Sequence, residues 1–147
     1  MLAAIHEVRD EIYSSENRTA TFKMRPEQQF AVQKTIEYFS SAKKEEPNKA
    51  PKFLWNAKMR FGKTFATYQL AKKMGLKRVL VLTFKPAVES AWREDLLTHV
   101  DFEGWQFVSN KDAHNNKINI DRQYEQADKS RPIVVFGSFQ DLLGTNE

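Results

Sequence analysis

Four aliphatic residues in succession, Val79-Leu80-Val81-Leu82, set between Arg78 and Thr83, constrain the fold of this chain more than any other stretch. A strand with one wet face alternates apolar and polar residues, whereas an unbroken aliphatic run is the signature of a parallel strand covered on both faces by helices. Pro132-Ile133-Val134-Val135-Phe136 repeats that signature, and Trp105 to Val108 is expected to supply a further strand. Helical spacing occupies the intervals. Val32, Ile36 and Phe39 share one face of a helix that Pro26 opens and that is expected to end near Phe39. Ala66, Leu70 and Met74 do the same from about Gly62 to Met74, with Gly75 as the stop, and Val88, Ala91, Trp92 and Leu96 stripe a helix opened by Pro86. Phe53-Leu54-Trp55 reads as a short strand, Ser138 to Leu143 as a short helix, and the charged stretch Ser40 to Lys52 and the polar stretch Lys111 to Lys117 as loops. Strands alternating with helices predict an α/β fold with a parallel sheet flanked by helices. Residues 1–21 are polar and weakly periodic and are expected to be a linker or the end of a preceding domain, leaving 22–147 as one domain.

Charge narrows the function classes only slightly. Lys and Arg number 23 against 19 Asp and Glu, and the net charge of +4 suits contact with phosphates without demanding it. The absence of cysteine excludes disulfides and thiolate metal sites. His6, His99 and His114 lie too far apart for a local metal-ligand pattern and are expected at the surface. No segment reads as a signal peptide or a membrane span, so a cytoplasmic location is expected.

Ala57-Lys58-Met59-Arg60-Phe61-Gly62-Lys63-Thr64 reads A-x-x-x-x-G-K-T, the P-loop pattern with Ala in place of the first Gly. The spacing has a physical reason. A triphosphate is held by backbone N–H groups at a helix N-terminus, where orphan donors and the helix dipole both favour anions. Gly62 allows close backbone approach, Lys63 brings an ammonium to the β and γ phosphates, and the Thr64 hydroxyl is placed to ligate Mg²⁺. ATP with Mg²⁺ is the expected ligand. Lys58 and Arg60 occupy unspecified loop positions and are expected to face solvent.

With these residues placed, the chain resembles the first RecA-like motor lobe of superfamily 2 helicases and translocases, in the branch that includes the motor subunits of type I and type III restriction enzymes. The resemblance covers about residues 22–143. Arg25-Pro26-Glu27-Gln28 is similar to the R-P-x-Q element that precedes the P-loop in these motors, which implies that Gln28 reads the adenine edge with support from Arg25. A glutamine amide suits that role, since it carries both a donor and an acceptor. Val79 to Pro86 resembles motif Ia, and Phe136-Gly137-Ser138-Phe139-Gln140-Asp141-Leu142 resembles the S-F-Q-x-L element. The resemblance implies nucleic-acid backbone contacts, DNA above all, by Thr83, Lys85, Ser138 and Gln140. Ser138 also suits a helix N-cap, and the strand-to-helix turn at Thr83 has a purely structural reading.

One element of the family is missing. No apolar strand ends in Asp-Glu, the pair that holds Mg²⁺ and positions the attacking water, and no second lobe follows. The expectation is therefore a partial, truncated lobe that works with the remaining domains of a parent chain, and that alone binds ATP weakly and hydrolyses almost none. Two other functions fit a P-loop of this kind: a small nucleotide phosphotransferase, and a non-catalytic nucleotide-binding module.

Overall fold

The computed structural model describes residues 18–111 and 118–140. They form two compact units, Phe22–Gly75 and a second made by the chain from Leu76 onward together with the residues before Phe22.

The first unit pairs two helices, α1 (Pro26–Glu45) and α2 (Lys63–Lys73). Pro26 stands at the start of α1, and Gln28 Oε1 accepts from the Arg25 N–H at 2.8 Å, satisfying a donor at the helix start. The helix runs past Phe39 to Glu45, through part of the stretch expected as loop. Residues 40–45 contain neither Gly nor Pro, Lys43 and Lys44 complement the negative end of the dipole, and Pro47 bars continuation. Phe53-Leu54-Trp55 is not a strand. Its aromatic side chains are satisfied by α1 instead: Trp55 Nε1 donates to Thr35 Oγ1 at 2.7 Å, and the Phe53 ring lies 5.4 Å from Tyr38 and 6.5 Å from Phe39. Leu54 between them is 89% exposed.

The second unit is a three-stranded parallel sheet. Its elements are β1 (Arg78–Thr83), a 3-10 turn at Pro86–Val88, α3 (Glu89–Thr98), β2 (Gln106–Ser109), α4 (Ile120–Gln126) and β3 (Ile133–Ser138). The strand order is β1-β3-β2, so α3 and α4 lie on the connections between parallel strands. Ile133, Val134 and Phe136 of the central strand β3 are buried. β1 departs from its expected double cover: Val81 is buried and Val79 partly so, but Leu80 and Leu82 are exposed. On α3, too, only Leu96 of the expected stripe is buried, beside Glu89.

α4 has no counterpart in the sequence reading, although its start is marked. Asn119 Oδ1 accepts from Arg122 N at 2.9 Å as an N-cap, and Asp121 sits in the first turn. Gln123 then ties α4 to the sheet by donating to Ser109 O. His99 overturns the expected surface placement. It is buried, its Nδ1 accepts from the Asp101 N–H at 3.0 Å, and its ring centre lies 5.6 Å from Phe102. His6, His114 and the predicted helix residues beyond Gln140 lie outside the described residues. Residues 18–20 join this unit: Ala20 bridges His99 in parallel, and the Arg18 guanidinium donates to the carbonyls of Leu96 and His99.

Asp95 gives this unit a pH signature. Burial, then the neighbouring Glu94, hold its carboxyl above the usual range, and His99 only partly opposes them. A raised carboxyl favours the protonated form in the fold, so its contribution is fully present below about pH 4 and is lost as pH rises. Asp95→Asn is expected to raise the denaturation midpoint at pH 7, and the gain should shrink as pH falls towards 3. A gain independent of pH contradicts this.

Candidate functional site

The P-loop pattern lies in the first unit, where the chain turns into α2. Gly62 caps the helix with a left-handed backbone, φ 78° and ψ 50°. Arg60, two residues earlier, also has positive φ, at 65°. A left-handed residue is unusual outside glycine, and the turn it makes brings successive peptide groups round towards the helix start. Lys63 is the first residue of α2 and is exposed; Thr64 follows and is half-buried, as is Ala57 at the other end of the loop. The arrangement is therefore loop, left-handed glycine, helix N-terminus, with an exposed lysine as the first helical residue. It lacks the paired strand that usually leads into such a loop.

What fixes the loop is a clamp from the start of α1. Gln28 Nε2 donates to Phe61 O at 2.8 Å and to Gly62 O at 3.2 Å. The Arg25 guanidinium donates through one terminal nitrogen to Arg60 O at 2.7 Å and to Phe61 O at 2.6 Å, while its Nε lies 3.2 Å from Glu27 Oε1. Three consecutive carbonyls are thus held from one side. In a trans peptide the C=O and the following N–H point in opposite directions, so the amides of Phe61, Gly62 and Lys63 turn away from the clamp. Phe61 N–H is taken by Lys58 O at 3.2 Å; those of Gly62 and Lys63 have no backbone acceptor among the described residues. They are the donors an anion would meet.

A broad open groove of about 930 Å³ lies alongside, between α1 and residues 53–61, walled by Phe30, Tyr38, Phe53 and Met59 among others. Gly62, Lys63 and Thr64 are not part of its lining. No helix among the described residues is long and apolar enough to cross a membrane, and no group of three or more His, Asp or Glu gathers as a metal site there.

The residues expected to meet nucleic acid lie in the second unit. Thr83 and Ser138 are 55 positions apart in sequence, yet they are register partners at the carboxyl ends of β1 and β3. That edge of an open parallel sheet is where ligands of α/β proteins bind. Thr83 Oγ1 donates to Lys85 O at 2.9 Å, folding the turn so that Lys85 stands exposed beyond the strand. Gln140 is exposed just past β3. Ser138 is 0% exposed, so its hydroxyl is sealed inside the sheet edge.

The R-P-x-Q string marks Arg25 and Gln28 but not their bonds to the loop, and nothing at position 60 marks the left-handed backbone of Arg60. No residue pattern reveals either; both follow from how α1 meets the loop.

No solved structure matches the chain. A protein of Mycoplasma pneumoniae (strain ATCC 29342 / M129 / Subtype 1), described as "Putative type II restriction enzyme and methyltransferase RM.MpnORF110P C-terminus", is 39% identical over 93 residues, which is 63% of this chain and 12% of that protein. The chain thus spans a small part of the length of the relative it matches. Residues 21–146 match the family described as type III restriction enzyme, res subunit. The parallel sheet with helices on its connections is consistent with the family match, and the chain belongs to this helicase-like family of restriction-enzyme res subunits.

Proposed function

We propose that this chain is the ATP-binding part of a DNA-translocating or helicase motor in a cytoplasmic restriction system, working with further domains of a longer protein. The observation that carries the reading is the loop at 57–64: a left-handed Gly62 before α2, amides of Gly62 and Lys63 with no backbone acceptor among the described residues, and an exposed Lys63 as the first helical residue. These groups suit a triphosphate, because a helix start offers orphan donors to an anion and a lysine there adds positive charge. Lys63 would lie on the β and γ phosphates and Thr64 would take Mg²⁺, which neutralises phosphate charge when bound. The described residues supply the cradle without an acidic pair at a strand end, so the activity ascribed to them is binding. Titration of ATP with Mg²⁺ into the purified chain tests this; binding that does not depend on Lys63 rules it out.

The DNA contact falls to the sheet edge, with Thr83 shaping the turn and Lys85 and Gln140 exposed beside it. The buried Ser138 would serve the edge as structure. Lys85→Gln is expected to weaken binding to all DNA sequences alike and to lower the slope of log affinity against log salt by about one. An unchanged slope removes Lys85 from the interface.

A further inference from the structure

We infer that the amino end of the parallel sheet is a second DNA contact, a patch of Lys77, Arg78, Lys129 and Arg131 that takes phosphate backbone without reading sequence. The choice of DNA rests on the reading just given, but the patch lies at the opposite end of β1 and β3 from the Lys85 edge.

Arg78 opens β1 and Lys77 precedes it, while Lys129 and Arg131 stand in the turn leading to Ile133, the register partner of Arg78. All four are exposed. Parallel pairing thus gathers cations that lie more than fifty positions apart in sequence. Arg78 is the centre. Its guanidinium donates to Lys77 O at 2.7 Å, to Lys129 O at 2.7 Å and to Arg131 O at 3.3 Å. Lys77 Nζ donates to Ser130 O at 3.4 Å, and Lys129 Nζ to the carbonyls of Tyr124, Glu125 and Ala127 at the end of α4.

A carbonyl is neutral, so these bonds orient the cations without cancelling their charge. Arg131 has an acidic partner, its Nε lying 3.1 Å from Asp128 Oδ2, but an exposed pair of this kind contributes little. Among the described residues no carboxylate pairs with Lys77, Arg78 or Lys129. The negative end of the α4 dipole offsets part of the Lys129 charge and leaves the other three.

Chemistry selects the partner. A protein interface is built round an apolar, aromatic core from which lysine is depleted, whereas phosphate backbone is held by cations and polar donors. Tyr124, the aromatic residue of α4, offers no such core, because Lys129 Nζ lies over its ring at 4.6 Å from the centre. Cations already steadied by carbonyls also lose little freedom on meeting a phosphate. The six residues of β1 rise about 20 Å, well beyond the about 8 Å over which exposed charges act at physiological salt, so the two ends bind independently.

Lys77→Gln combined with Arg131→Gln tests the patch, since both changes spare the main-chain carbonyls that hold Arg78. Fluorescence anisotropy of a short mixed-sequence DNA duplex with the whole chain, measured across salt concentrations, reads the outcome, and thermal denaturation checks the fold. The slope of log affinity against log salt should fall by about two, and by about three when Lys85→Gln is added. Lys77→Arg with Arg131→Lys keeps the charge and should leave the slope unchanged. An unchanged slope in the glutamine variant, or an equal fall in the charge-keeping one, overturns the inference. Lost affinity for polyglutamate with duplex binding intact also overturns it, and assigns the patch to an acidic protein. A fall with Lys85→Gln alone sinks the patch and spares the edge; a fall with the patch variant alone does the reverse. If the unaltered chain binds no duplex, both fail.

Discussion

Lys63→Ala is expected to cut affinity for ATP with Mg²⁺ by about tenfold to a hundredfold, the range for losing a charge-assisted bond, while leaving the fold at least as stable. The two halves of this expectation have separate causes. A lysine as first residue of α2 places a positive charge at the positive end of the helix dipole, and no acidic residue sits in that first turn to compensate. Its side chain is exposed and its position is one that alanine fills more favourably. As a structural residue Lys63 is therefore a poor choice, and its placement makes sense only if an anion is to be met there. Thermal denaturation and calorimetric titration of the same samples check both halves. A variant that melts lower and still binds ATP normally would show that Lys63 is structural and would remove the main support for a nucleotide site.

The sequence declared its strands more openly than its site. β1 matches the aliphatic run at 78–83, and β3 (133–138) holds the expected run 132–136 from Ile133 on and continues two residues further, taking in Ser138 where a helix start was expected, because strands with little polar character have few other places to go. Helix starts at Pro26 and Lys63 were likewise legible from proline and glycine chemistry. The end of α1 was not, since the Ser40–Glu45 stretch is polar all round and only the absence of Gly and Pro before Pro47 marks it as helix-compatible. Phe53-Leu54-Trp55 misled for a related reason: apolar triplets suit a strand or a flank packed on a helix, and the choice was made by Thr35 accepting from Trp55. Within the candidate site, the string at 62–64 was legible as a loop-to-helix turn, and the structure has a left-handed Gly62 with α2 starting at Lys63 there. The roles of Arg25 and Gln28 depend on bonds spanning more than thirty residues, from the start of α1 to the loop, and such bonds leave no local periodicity. The register that brings Thr83 beside Ser138 is of the same kind, because it is set by β1 pairing with β3 rather than by either segment alone.

Gly62→Ala should produce the larger stability change, about 2–4 kcal/mol, and Gly75→Ala supplies the comparison that explains it. Both glycines have positive φ, 78° and 68°, so each substitution carries the backbone cost of placing an L side chain in the left-handed region, about 1 kcal/mol. They differ in their surroundings. A Cβ at Gly75 meets nothing within 4 Å, whereas one at Gly62 meets Gln28 Nε2 at 2.4 Å. Gln28 is buried and bonded at both ends of its amide, so it can yield only by releasing Phe61 O and Gly62 O, at about 1 kcal/mol for each bond lost. The excess of Gly62→Ala over Gly75→Ala therefore measures how rigidly the clamp is held. Urea denaturation followed by the fluorescence of Trp55, the tryptophan of the first unit, gives both values, with hydrogen exchange of the α2 amides to confine the loss to that unit. Equal costs at the two positions would mean that Gln28 moves aside freely, and a loop held that loosely has no preset arrangement of amides for a triphosphate to exploit.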